Sequence, residues 1–101
     1  MSKLPLSYYI DNDVESIARS LLGKILFSRI NNKVTAGIIT ETEAYKGIFD
    51  KASHAYGGRR TKRTEVMYKQ GGISYVYLCY GVHYLLNVVT AGVDIPHAVL
   101  L

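Results

Sequence analysis

Ile38-Ile39-Thr40-Glu41-Thr42-Glu43-Ala44-Tyr45 is a β-rich run that turns acidic at its end. With Gly37 before them, Ile38, Ile39 and Thr40 have the β-branched composition of a buried strand, and two carboxylates follow where such a strand would reach its mouth. Extended chain returns to the same face every second residue, about 6.8 Å further on, so Glu41, Glu43 and Tyr45 are expected to point the same way. Two acids beside an aromatic ring suit an acid/base site with a stacking wall. Exposed glutamate is also the commonest kind, and both acids can equally be read as solvated strand-end residues. Period two does not choose between Glu41 and Glu43.

Upstream of this run, residues 1–11 form a lead-in anchored by Tyr8-Tyr9-Ile10. Asn12 reads as an N-cap with Glu15 completing a capping box, and Val14, Ile17, Ala18, Leu21 and Leu22 follow helical spacing until Gly23 stops the helix. Strands are expected over 24–30 and 33–42, flanking Asn31-Asn32, two residues tolerant of the positive φ that a two-residue hairpin turn demands. Downstream, the regular pattern dissolves over 46–70 into glycine, serine and charge, the mark of a functional loop, with one short helical turn expected over 64–68. After Gly71-Gly72 comes a strand over 73–80, with Tyr75, Tyr77 and Cys79 on one face and Val76, Leu78 and Tyr80 on the other. Another strand over 85–90, a turn over 92–96 and a strand beginning at Ala98 complete an α+β pattern with no repeat and no interdomain linker.

The chain has 101 residues, 49% of them hydrophobic and 20% charged, which suits one globular domain and not a disordered segment. Its formal net charge is only +4, yet four of its 12 basic residues fall in Arg59-Arg60-Thr61-Lys62-Arg63. Such local basic charge favours a polyanionic partner. The single cysteine, Cys79, rules out an intrachain disulfide and reads as an inert buried thiol of a reducing compartment. No apolar run approaches the roughly 20 residues of a membrane span, and no signal-peptide core follows the first residues, so a soluble intracellular protein is expected. His54, His83 and His97 are too scattered for metal-ligand spacing, and no metal or other cofactor is expected. The glycine pairs lack the phosphate-cradling pattern of nucleotide-binding loops. Nine tyrosines and no tryptophan leave a tyrosine-rich strand beside a basic loop and a carboxylate pair. Together these are the parts needed to hold a phosphate backbone, stack a base and activate water.

Leu21-Leu22-Gly23-Lys24, Glu41-Thr42-Glu43-Ala44-Tyr45, His54-Ala55-Tyr56-Gly57-Gly58-Arg59, Tyr75-Val76-Tyr77 with Tyr80-Gly81, and Leu86-Asn87-Val88 occur in an order and spacing that resembles the alkyladenine (3-methyladenine) DNA glycosylases of the mixed α/β kind. The likeness runs from about Leu6 to Leu101. It implies a base-excision enzyme, monofunctional and without cofactor, that flips a damaged purine out of double-stranded DNA and hydrolyses its N-glycosidic bond. On that resemblance Glu43 is the general base. Tyr45 stacks on one face of the flipped base, His54 and Tyr77 close the other, and Asn87 lines the pocket against guanine's exocyclic amine. Tyr80 wedges into the minor groove, and Arg59, Arg60, Thr61, Lys62 and Arg63 supply the contacts to the DNA backbone. The resemblance also implies a curved, mainly antiparallel sheet, a monomer, and a location in the cytoplasm or nucleoid of a bacterium or the nucleus of a eukaryote. Lys62 stands where family members often carry proline. Because the family domain is longer than this chain, and continues into a stretch that supplies a pocket arginine, residues 1–101 are expected to be its N-terminal part. The alternative reading is a truncated, catalytically impaired remnant that binds DNA through the basic loop. A small-molecule hydrolase using Glu41 and Glu43 explains neither that loop nor Tyr80.

Overall fold

The computed structural model describes residues 3–79 and 81–101. Among them lie one α-helix, α1 (Val14–Leu21), and six strands: β1 (Ile25–Ile30), β2 (Lys33–Ile38), β3 (Glu43–Lys46), β4 (Ser74–Cys79), β5 (His83–Thr90) and β6 (His97–Leu100). β1 and β2 form a two-stranded antiparallel sheet, and the other four form a second antiparallel sheet in the order β3-β6-β5-β4, so neither sheet closes on itself. The α+β expectation holds. Tyr80, expected at the end of a strand and assigned the wedge, lies outside the described residues.

The helix buries Val14, Ile17, Ala18 and Leu21, the i, i+3, i+4, i+7 stripe read from its spacing. Its cap is Asp13 and not Asn12: the Asp13 carboxylate accepts the N–H of Ser16 at 3.1 Å, because Asp13 stands three residues before that donor. Asn12 is freed to accept the N–H of Gly92 through its Oδ1 at 3.4 Å. Leu22 falls outside the helix and is exposed, and Gly23 turns the chain at φ 83° while donating to the carbonyl of Ile39. Asn31 and Asn32 both take positive φ, 51° and 63°, and close the hairpin in the expected register, Ile30 opposite Lys33.

The run that opens the sequence reading is not one strand. β2 ends at Ile38. Ile39 bonds back to Lys24 and Gly23, residues 39–42 cross over, the hydroxyl of Thr42 donates to the carbonyl of Ala18 on the helix at 2.8 Å, and β3 starts at Glu43 in the other sheet. Two expectations fall with this. Ile38 is 68% exposed, because no described residue covers the β1–β2 ribbon at that point. Glu41 sits in the crossover, so the face shared by two carboxylates and a tyrosine is shared by Glu43 and Tyr45 alone.

The four-stranded sheet is a middle layer. Along β5 and β6 successive residues bury to opposite sides, which is why His97, Ala98 and Val99 are all buried. Val99, with Ala44 and Val88, packs under the helix stripe. Ala98, Val89 and Tyr75 pack on the opposite side against Ala55, Met67 and Tyr68. These last three belong to the long connection between β3 and β4, which carries 3-10 turns at Gly47–Phe49, Tyr56–Gly58 and Glu65–Tyr68. The connection is pinned at its end by Gly71, where a Cβ would stand 2.2 Å from the carbonyl oxygen of Tyr9, so only glycine fits.

Candidate active site

Where the connection folds back on the sheet, a narrow recess opens to solvent, walled by Tyr45 of β3, His54 of the connection, Tyr75 and Tyr77 of β4, Asn87 of β5 and Ala98 of β6. Strand alternation sets this wall: Tyr75 and Tyr77 share the inner face of β4, as their spacing predicts, while Val76 and Leu78 on the outer face are exposed. The rings meet edge to face, His54 with Tyr77 at a centroid separation of 4.4 Å and an interplanar angle of 63°.

His54 Nδ1 lies 2.8 Å from the Tyr75 hydroxyl. Burial, aided by Arg63 and Arg59, holds the His54 imidazole below its ordinary pKa, and burial holds the Tyr75 phenol above its own. The pairing is therefore between a neutral imidazole and a protonated phenol, and the imidazole tautomer sets which of the two donates. Asn87 is buried to 2% exposure and donates its amide to the carbonyl of Tyr75 at 3.2 Å, which fixes the side chain at the floor of the recess. Tyr45 is half-buried, and its hydroxyl donates to Glu43 Oε2 at 2.5 Å. Burial first, then Glu43, raises the Tyr45 phenol far above its usual range. Tyr77 is also raised, by burial and then by Cys79, Tyr75 and Glu43, so the carboxylate is felt on both sides of the recess.

The structure thus brings Glu43, Tyr45, His54, Tyr77 and Asn87 together, and leaves Glu41 apart. The basic cluster divides. Arg60 is engaged: its guanidinium meets Glu65 at 2.8 Å and Asp94 at 3.0 Å and lies 4.5 Å from the centroid of the Tyr68 ring. Thr61, although exposed, bonds within the loop, its Oγ1 accepting the N–H of Thr64 at 3.2 Å. Arg59, Lys62 and Arg63 are exposed, with the Arg63 guanidinium 5.8 Å from the centroid of the Tyr77 ring. Tyr75, as the partner of His54, was missed in the sequence. Its shared face with Tyr77 was the available signal, but only tertiary folding brings His54 to it across 21 residues.

Residues 8–101 match the profile of the methylpurine-DNA glycosylases. The chain belongs to the methylpurine-DNA glycosylase family. Relatives of the same family agree. A protein of Chlamydia felis is 53% identical over 98 residues, covering 97% of this chain and 50% of its own length. One of Borrelia garinii subsp. bavariensis is 53% identical over 94 residues, 93% of this chain and 50% of its own length. One of Desulfitobacterium hafniense is 50% identical over 101 residues, the whole of this chain and 49% of its own length. All three carry the name "Putative 3-methyladenine DNA glycosylase". The chain spans about half the length of the curated relatives it matches. Among its described residues, no helix is long and apolar enough to cross a membrane.

Proposed function

We propose that this chain carries the general base and the base-binding wall of a DNA glycosylase that excises alkylated purines, of the 3-methyladenine type, from double-stranded DNA. The observation that carries the reading is the convergence on one recess of Tyr45, His54, Tyr77 and Asn87, with Glu43 hydrogen-bonded to the first of them. Flipping places the base between the Tyr45 ring and the His54–Tyr77 pair, and an alkylated purine, electron-poor or cationic, gains about 0.5–2 kcal/mol on such faces. Damaged bases also leave the stack at lower cost. The neutral state of His54 serves the same end, since a cationic imidazole would repel a cationic purine. Asn87 lines the floor against the exocyclic amine of guanine. Glu43, exposed to solvent, takes a proton from the water that attacks the anomeric carbon, a step that needs neither metal nor Schiff base. Arg59, Lys62 and Arg63 hold the phosphates; Arg60 and Thr61 act on the backbone chiefly by shaping the loop that presents them. Tyr80 fills the space that the base vacates. Residues 1–101 form one partial domain in this reading, and the protein acts as a monomer.

Single-turnover release of 3-methyladenine from methylated duplex tests the proposal. Glu43→Gln should slow release by about a hundred- to ten-thousandfold while leaving DNA binding intact, and Glu41→Gln should be close to wild type. Release that survives Glu43→Gln but not Glu41→Gln would assign the base to the wrong carboxylate. Binding of abasic DNA without any release by the wild type would mark a remnant.

A further inference from the structure

Glu43 and Tyr45 stand two residues apart on β3, which is an edge strand paired only with β6, Glu43 opposite Leu100 and Tyr45 opposite Ala98. Their side chains therefore share one face, and they differ in how firmly each is held. The Tyr45 ring is half-buried in the wall of the recess, whereas the Glu43 side chain is exposed and, among the described residues, is hydrogen-bonded through its carboxylate to the Tyr45 phenol alone, which reaches its Oε2 at 2.5 Å. That separation is typical of a hydroxyl donating to an ionised carboxylate, the stronger class of hydrogen bond.

We propose that the Tyr45 hydroxyl, separately from any stacking by its ring, is a positioning group that anchors Oε2 of Glu43 and leaves Oε1 as the oxygen that receives the proton of the attacking water. This rests on the glycosylase reading and adds to it a second task for one side chain, in which the ring holds the base and the hydroxyl holds the catalyst. The two tasks share one rigid body, so the base and the oxygen that activates water are placed by the same ring. Burial and the carboxylate keep the phenol protonated, so the donor persists throughout the working range. Tyr77 from β4 faces the same carboxylate across the recess but is not hydrogen-bonded to it, and Asp50, beyond the Gly47–Phe49 turn, adds a second negative charge near Tyr45.

Tyr45→Phe separates the tasks because it keeps the ring. The expected result is affinity for lesion-containing duplex unchanged from wild type, with single-turnover excision slowed about ten- to a hundredfold, the cost of releasing a charged group's hydrogen bond and letting the base drift. In a protein labelled with carbon-13 at tyrosine Cζ, the Tyr45 resonance, assigned by its loss in Tyr45→Phe, should move in Glu43→Gln, an effect that pure stacking cannot produce. If Tyr45→Phe does not fold, 3-fluorotyrosine at position 45, nearly the same in shape but a better donor, replaces it and should alter the excision rate without altering affinity. Excision by Tyr45→Phe equal to wild type, or a Tyr45 resonance indifferent to Glu43→Gln, overturns the positioning role and leaves the glycosylase reading standing. A wild type that excises nothing overturns the glycosylase reading, and the positioning role with it.

Discussion

Tyr75→Phe is the sharpest single test of how the recess is built. The substitution keeps the ring that packs with Val89 and Ala98 in the core and removes only the hydroxyl that lies 2.8 Å from His54 Nδ1. The amide bond from Asn87 reaches the Tyr75 backbone carbonyl and survives the change. What remains is a half-buried imidazole nitrogen without its hydrogen-bond partner, its ring still packed edge to face with those at positions 75 and 77. A neutral hydrogen bond of this kind contributes about 0.5–1.5 kcal/mol, which is about two- to tenfold in any equilibrium that needs His54 in place. For a domain of this size the same loss lowers Tm by about 2–12 °C. The assay is a pair of measurements, thermal unfolding by circular dichroism and the Kd for lesion-containing duplex, with Tyr84→Phe as control. Tyr84 is 75% exposed and should tolerate the change in both. Tyr75→Phe indistinguishable from that control in affinity and Tm would refute the reasoning, because His54 would then be fixed by packing alone.

Acid should unfold the protein partly through its histidines. Burial lowers the folded-state pKa of His54 and of His97, whose Nδ1 is buried without a partner among the described residues. The unfolded chain then binds more protons than the folded one, so stability is complete above the unfolded value of about 6.5 and is lost as pH falls from there toward the folded-state values. Urea midpoints across that window should fall less steeply in His97→Gln than in wild type. Replacing both Arg59 and Arg63 by alanine should flatten the dependence of log K for duplex DNA on log salt by about 0.9 for each phosphate that is no longer neutralised, whereas Arg60→Ala should change the slope least, its guanidinium being taken by Glu65 and Asp94.

Much of this architecture was legible locally. The helix was readable because Val14, Ile17, Ala18 and Leu21 mark one stripe, and the hairpin because asparagine tolerates the positive φ at both turn positions. The aromatic wall followed from period two in Tyr75 and Tyr77. The cap was misplaced by one residue because Asn12 and Asp13 are both good caps, and only the geometry of the turn picks the one that reaches Ser16. The break after Ile38 left no local mark, since its residues favour a strand as strongly as those before it. What interrupts the strand is long-range, namely the bonds that tie Gly23 and Lys24 to Ile39 and Thr42 to the helix. The division of labour in the basic cluster was hidden for the same reason, Asp94 lying 34 residues from Arg60.

β6 joins the two halves of the site. Glu43 and Tyr45 lie on β3 and Tyr77 and Asn87 on β4 and β5, and in the sheet only β6 bridges β3 to β5, through Glu43–Lys46 on one edge and Asn87–Thr90 on the other. Pairing β3 with β6 closes a loop of some fifty residues, an entropic cost met only when the strand is seated on both sides at once. The Glu43 carboxylate and the wall that carries Tyr77 and Asn87 therefore come into register only when β6 is seated between their strands. On the ribosome, neither half of the recess can find the other until residues 97–100 have emerged.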